Sequence, residues 1–302
     1  MATARTSKVG TLEAAAELIK DGMGIAIGGM LAQNAPCAMV RQIVKKGVKD
    51  LSTFAAPPVG YPVDLLVGAG LVKRTHHAYC GFEYLGFAPN FRKAVEQGEV
   101  DAVVCDEAIV AGGFMAAAEG MPYHPLRSPK GTDYININPL LKEYTPPWGE
   151  EKLVAVKAFD IDVALIHAQE ADEYGNIRFL GSYWLDPTMA RATDTVIVTV
   201  DRLVSNSRVL SEPYLTAIPG VFVTMVVELP YGAHPCASHM IHMQDEDHLI
   251  EYVRLGRQNL KNEDPEAFPG YLKKHIYEPE THLDYLEVVG GLKRLSQLTV
   301  PV

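Results

Sequence analysis

Asp21-Gly22-Met23-Gly24-Ile25-Ala26-Ile27-Gly28-Gly29-Met30, continued by Leu31-Ala32-Gln33-Asn34-Ala35-Pro36, is the stretch on which the fold turns. Ile25 to Ile27 read as a short buried strand. Two glycines end it, a polar turn follows, and a helix is entered at Pro36. Adjacent glycines at a strand's carboxyl end adopt positive φ at little cost and let a ligand come close to the backbone. In open α/β sheets that edge is where ligands sit. Gly28, Gly29 and Met30 are therefore candidate ligand-binding residues; the alternative is a tight strand-to-helix turn of no chemical importance.

Outward from this point, helix and strand patterns alternate. Leu12–Ile19 has helical apolar spacing with Thr11 as its cap, and Cys37–Lys46 is a second amphipathic helix stopped by Gly47. Leu51–Ala55 and Val72–Tyr79 read as strands on either side of a helix or turn at Val63–Gly68. Phe91–Gln97 and Ala108–Ala118 read as helices flanking a strand at Val100–Cys105. Further strands are expected at Leu153–Lys157, Val163–His167, Ile177–Leu180, Thr195–Val200 and Val221–Val227, with a helix beginning at Met189–Ala192.

The run His124–Trp148, rich in Pro, Gly and Asn, is expected to lie over the site or a partner surface. The alternation predicts an α/β fold: a mainly parallel open sheet covered by helices on both faces. The chain is read as one domain over 1–302, with a core of about 8–235 and a helical C-terminal extension of about 236–302.

Composition excludes several classes. The 302 residues are 48% hydrophobic and 21% charged, ordinary for a globular enzyme subunit. A formal net charge of −10 argues against nucleic acid and anionic membrane as partners. Cys37, Cys80, Cys105 and Cys236 show no C-x-x-C pairing, and no run of about twenty apolar residues occurs. The expectation is a cytoplasmic chain with reduced thiols, in which Met1–Lys8 is a start arm and not a signal peptide. G-x-G-x-x-G, Walker and G-x-S-x-G patterns are missing from the sequence, which removes the commoner nucleotide, phosphoryl-transfer and serine-hydrolase readings.

Asp-Gly, two residues, three apolar residues, Gly-Gly and a Pro seven residues later resembles the first signature of the α subunit of family I coenzyme A transferases. Met30 replaces the usual Phe. Asn34 replaces a common Gly, as in the glutaconate CoA-transferase branch. Other stretches follow in family order: Asn90-Phe91-Arg92-Lys93, Ala116-Ala117-Ala118 with Pro122-Tyr123, Val163–Gln169, Gly175-Asn176, Ile218-Pro219-Gly220 and Tyr231-Gly232-Ala233-His234-Pro235.

The resemblance implies an enzyme that attacks an acyl-CoA thioester with a glutamate carboxylate, splitting one exchange into two acyl transfers. In split enzymes that glutamate lies in a Ser-Glu-Asn-Gly-like loop of the β subunit. Glu83, Glu107 and Glu119 lack such flanks here. The implied function is the α subunit of a heteromeric CoA-transferase acting between an acyl-CoA and a small (di)carboxylic acid. Its implied partner is a homologous β subunit, in a heterotetramer or larger. Coenzyme A thioester enters as substrate, and no permanently bound cofactor is implied.

Glu107 departs from the transferase pattern. Fifteen residues before Pro122, relatives commonly carry Gln, whose amide donates to the thioester carbonyl oxygen. A Glu there is similar to the α subunit of the ring-opening hydrolase of bacterial steroid degradation. Glu107 is accordingly the candidate catalytic residue of a second reading, a CoA-thioester-dependent hydrolase, C–C lyase or decarboxylase; its alternative role is to cap the helix beginning at Ala108. A non-catalytic binding subunit is a third reading. Gly81, Phe82 and Glu83 occupy the place of a pocket loop in some relatives and are further candidate substrate-binding residues. His76 and His77 are read either as facing the site or as strand residues. His234, His239, His242 and His248, with Asp245 and Asp247, offer a weak metal pattern. They are read instead as a solvated loop at a subunit boundary, and no metal is expected.

Overall fold

The computed structural model describes residues 5–301; of the expected start arm, residues 1–4 lie outside the described residues. The strands, in chain order, are β1 (Gly24–Ile27), β2 (Leu51–Ala55), β3 (Val72–His77), β4 (Asp101–Val104), β5 (Tyr123–Leu126), β6 (Leu141–Tyr144), β7 (Leu153–Lys157), β8 (Val163–Ala171), β9 (Ile177–Arg178), β10 (Thr195–Leu203) and β11 (Met225–Glu228). The main sheet has the order β11-β10-β8-β1-β2-β3-β4 with every neighbour parallel, and β9 adds antiparallel to β8.

Strand β1 is the pivot. Chain order runs through β2, β3 and β4 on one side of it and through β8, β10 and β11 on the other. The switch point of this open sheet, where a crevice forms at the carboxyl edge, therefore lies at the end of β1, where Gly28 and Gly29 follow. Alternation along β1 divides the core: Ile25 and Ile27 join the cluster under helices Cys37–Lys46 and Tyr61–Gly68, while Ala26 joins the cluster under helix Glu107–Ala118.

Two expectations change in the region after residue 120. β5, which starts one residue ahead of the run His124–Trp148, and β6, inside it, pair antiparallel with β7 in a separate three-stranded sheet. Leu153–Lys157 thus belongs to this small sheet and not to the main one. The expected strand Val221–Val227 opens instead as a single helical turn, Gly220–Phe222, with β11 displaced to Met225–Glu228. Lys8 is tied here, its Nζ donating to the carbonyls of Gly220 and Val223 at 2.6 and 2.5 Å.

The tail packs back on the first half of the sheet. Asp64, fully buried, accepts hydrogen bonds from Asn90 Nδ2 (2.8 Å), the Phe91 N–H (2.7 Å) and the Tyr252 hydroxyl (2.7 Å). It joins helices Tyr61–Gly68, Pro89–Glu96 and Glu246–Leu260. Burial pushes its pKa up to about 6 in spite of those three donors. Among the described residues no helix is long and apolar enough to cross a membrane.

Candidate active site

Each bond of the glycine turn has an identifiable partner. The Gly28 N–H donates to the Leu165 carbonyl at 2.8 Å, continuing the β1–β8 ladder one residue past the strand. Gly29 has φ +82°, and its N–H donates to Asp186 Oδ1 at 2.9 Å. A Cβ at Gly28 would lie 2.6 Å from Asp186 Oδ1, and one at Gly29 would lie 2.5 Å from the Gln33 carbonyl oxygen. Both positions therefore require glycine, one for space and the other for space and backbone angle.

Asp186 is fully buried, its Oδ2 has no hydrogen-bond partner among the described residues, and burial pushes its pKa up to about 7 against the single Gly29 N–H that opposes the shift. The carboxyl sits at the start of a short helix, Asp186–Met189, three residues before the expected Met189.

Asn34 has φ +50°, the left-handed region that Asn tolerates better than most residues, which explains why Asn can stand where relatives carry Gly. Its side chain is locked from three sides. Nδ2 donates to the Ser182 carbonyl at 3.0 Å, and Oδ1 accepts from Gln169 Nε2 at 2.9 Å and from the His239 N–H at 3.2 Å. Gln169 also donates to Ser238 Oγ (2.9 Å), which donates to Asp201 Oδ2 (2.5 Å); His167 Nε2 meets the same oxygen at 3.2 Å. Burial favours protonation of Asp201, but His167 and Ser238 outweigh it and hold its pKa below the usual carboxylate range. This buried chain fixes the signature turn against β8, β10 and the segment 231–242.

Two hollows open on either side of that turn. One, of about 110 Å³, is lined by Gly29, Met30, Asn34, Trp184, Asp186 and His239 among others. The other, of about 210 Å³, is lined by Leu31, Gly81, Phe82, Glu83 and Leu249 among others, and Gln33 borders both. The loops after β1, β2 and β3 run side by side here. Leu31 bridges Val59 and Val59 bridges Cys80, so Gly81–Glu83 comes next to the residues that follow Met30.

Glu107 is not brought into this group. It is exposed at the carboxyl end of β4, three strands from β1, or about 14 Å at ordinary strand spacing, on the same sheet edge. The expected capping role falls to its neighbour: the helix begins at Glu107, and Asp106 is the cap, its Oδ1 accepting from the Ile109 N–H at 2.7 Å while Oδ2 accepts from Ser128 Oγ at 2.8 Å. Glu107 occupies the first turn without a hydrogen-bonded partner of its own among the described residues.

His76 is buried and stacked on Phe54 with centroids 4.3 Å apart, and His77 is buried against Phe91. The expected solvated loop is overturned, since His234 and His242 are fully or almost fully buried. His234 lies between the Tyr285 hydroxyl (2.8 Å) and Asp245 Oδ2 (3.1 Å). Burial holds His234, His239, His242 and His248 below the ordinary imidazole value; His234 and His242 are core residues, while His239 is half-buried and borders the smaller hollow. Among the described residues no group of three or more His, Cys, Asp or Glu is arranged to hold a metal ion.

Sequence reading missed Asp186 and the Gln169–Ser238–Asp201 chain. The Asp186-Pro187 pair signals a helix start, and that signal does not reveal that the carboxyl is buried under a turn 157 residues away.

Comparison with known proteins matches residues 10–229 to the coenzyme A transferase family. The chain is 29% identical to the α subunit of glutaconate CoA-transferase of Acidaminococcus fermentans, covering 98% of this chain and 96% of that one. The crystal structure of that enzyme superposes with a TM-score of 0.91 over the same shares of the two chains. Identity is 30% to a cholesterol ring-cleaving hydrolase IpdA subunit of Rhodococcus jostii, covering 85% of this chain and 89% of that one. An uncharacterized protein of Archaeoglobus fulgidus is 35% identical over 95% of this chain, which spans 63% of that longer protein. With the glycine turn at the switch point of the same sheet, the chain belongs to the coenzyme A transferase family and is an enzyme subunit of the transferase kind, similar to the glutaconate CoA-transferase α subunit.

Proposed function

We propose that this chain is the α subunit of a heteromeric CoA-transferase moving CoA between an acyl-CoA thioester and a small mono- or dicarboxylic acid. In this reading a homologous β subunit, assembled as (αβ)₂ or larger, supplies the nucleophilic glutamate. That carboxylate attacks the thioester carbonyl and releases CoA thiolate, forming a mixed anhydride. The thiolate then attacks the glutamyl carbonyl, freeing the acid and leaving a glutamyl-CoA thioester that the second acid attacks in turn. The α chain's part is to form the wall on which the thioester lies, with Gly28, Gly29 and Met30 on one side of the signature turn and Gly81, Phe82 and Glu83 on the other. The near end-to-end match to the glutaconate CoA-transferase α subunit carries the reading.

The test is reconstitution with the β chain and trapping. Borohydride or hydroxylamine is expected to intercept a β-chain glutamyl-CoA thioester, and the α chain alone is expected to show no turnover. Full turnover by the α chain alone would overturn the assignment. Acyl-CoA binding without turnover in the complex would instead identify a binding subunit.

A second reading, a CoA-thioester hydrolase or lyase, is favoured by Glu107 on the carboxyl edge and by the likeness to the ring-cleaving hydrolase subunit. Glu107→Gln separates the two. A transferase keeps or gains activity, since the amide adds a donor for the developing oxyanion. An enzyme using Glu107 as acid or base loses about 10²–10⁴-fold in turnover, with product formed and no acceptor acid required.

A further inference from the structure

The 210 Å³ hollow differs in chemistry from what a dicarboxylate needs. Leu31, Ala32, Phe82, Leu85 and Leu249 supply apolar wall, Gln33, Gln244, Tyr61 and Tyr84 add neutral polar groups, and among the described residues its lining holds no Lys, Arg or His. Its one carboxylate is Glu83, at the rim, with φ +50° in the turn Glu83–Leu85. A second carboxylate carried into this space would leave water with no cation among the lining residues to pair it and would face a like charge. An apolar chain entering the same space is stabilised by burial in proportion to its area, roughly four-fold in affinity per methylene.

Part of the hollow's wall comes from beyond residues 10–229, the stretch matched to the family. Leu249 and Gln244 line it. The Tyr84 hydroxyl donates to Glu246 Oε1 at 2.5 Å, and Arg257 Nη2 donates to the Leu85 carbonyl, so turn 83–85 is fastened to helix Glu246–Leu260.

We infer that this hollow receives the acyl portion of the thioester and selects a short, uncharged, apolar acyl group, with Leu249 of the C-terminal helix setting its depth. The inference rests on the transferase reading and narrows it from mono- or dicarboxylic to apolar monocarboxylic substrates.

Butyryl-CoA and succinyl-CoA make the decisive pair, because they have equal chain length and differ in a terminal methyl against a carboxylate. In the reconstituted αβ complex, kcat/KM is expected to favour butyryl-CoA by at least about tenfold and to rise by roughly four-fold per methylene from acetyl toward butyryl. Glu83→Gln is expected to narrow the butyryl-to-succinyl ratio by about threefold or more, by removing the like charge. Leu249→Ala is expected to move the preferred acyl chain to a longer one; should it fail to fold, the Glu83 variant and the substrate pair still decide. Succinyl-CoA used as well as or better than butyryl-CoA would overturn the inference and leave CoA transfer standing. If no thioester turns over, the transferase reading falls and binding decides the hollow. A larger rise in Tm with butyryl-CoA than with succinyl-CoA keeps the inference, and equal or reversed shifts end it.

Discussion

Gly29→Ala in the assembled enzyme is expected to lower kcat/KM by about a hundredfold and to destabilise the chain by roughly 2–3 kcal/mol. The stability loss follows from a left-handed φ of +82° combined with a Cβ placed 2.5 Å from the Gln33 carbonyl oxygen and 2.7 Å from the Asn34 carbonyl. These are backbone atoms, and Asn34 is itself held by Ser182, Gln169 and His239, so the turn has no cheap way to yield. The rate loss follows because displacement of a substrate-positioning turn by about 1 Å costs on the order of 10².

Gly22, in the same signature, is the matched control. Its φ is +79° and nothing lies within 4 Å of the position a Cβ would take. Gly22→Ala should therefore cost only the backbone term, about 1–2 kcal/mol, and leave the rate unchanged. Urea unfolding and steady-state kinetics on both variants make the comparison. Equal rate losses at the two glycines would show that crowding at Gly29 has no bearing on the site.

Asp186→Asn is expected to make the protein more stable at pH 8 and to give no advantage at pH 4. The folded pKa of Asp186, about 7, lies above the value near 4 of an unfolded aspartate. Between those values the native state holds the proton and the unfolded state does not, so stability falls as pH rises through the window. The full loss is on the order of 4 kcal/mol, from about three pH units at 1.36 kcal/mol each. Asparagine keeps the oxygen that accepts from Gly29, offers an amide where Oδ2 now lacks a partner, and does not titrate.

The gap between variant and wild type should therefore open between pH 4 and pH 7 and level off above. Asp64, whose pKa is also raised by burial, is present in both chains and cancels from the difference. Parallel stability curves for the two proteins would rule out a protonated Asp186 in the native state.

What could be read along the chain was what depends on neighbours in sequence. Apolar Ile25 to Ile27 followed by two glycines must leave a strand at an edge, and the actual strand, Gly24–Ile27, ends where the pattern says. Helix Cys37–Lys46 and its stop at Gly47, in left-handed conformation with φ +75°, follow from periodicity and a terminal glycine in the same way. Alternating strand and helix patterns set the sheet type, the glycine pair at a strand's carboxyl end marked the turn, and family resemblance then added the chemistry.

Partnership across long separations was decided only in three dimensions. Leu153–Lys157 has the residues of a strand, but its pattern does not say that Tyr123–Leu126 and Leu141–Tyr144 will pair with it instead of the main sheet. His234 is buried against Tyr285 and His242 bridges Thr299, both far along the chain. Asp186 looks like any polar residue before a proline until β1 and the loop after β9 are brought together, when it becomes a buried acid held by the Gly29 N–H beneath the glycine turn. Local sequence sets backbone preference through φ, ψ and side-chain periodicity. A side chain's charge state and partners are set by which distant groups share its space and exclude water, and no short window of residues encodes that.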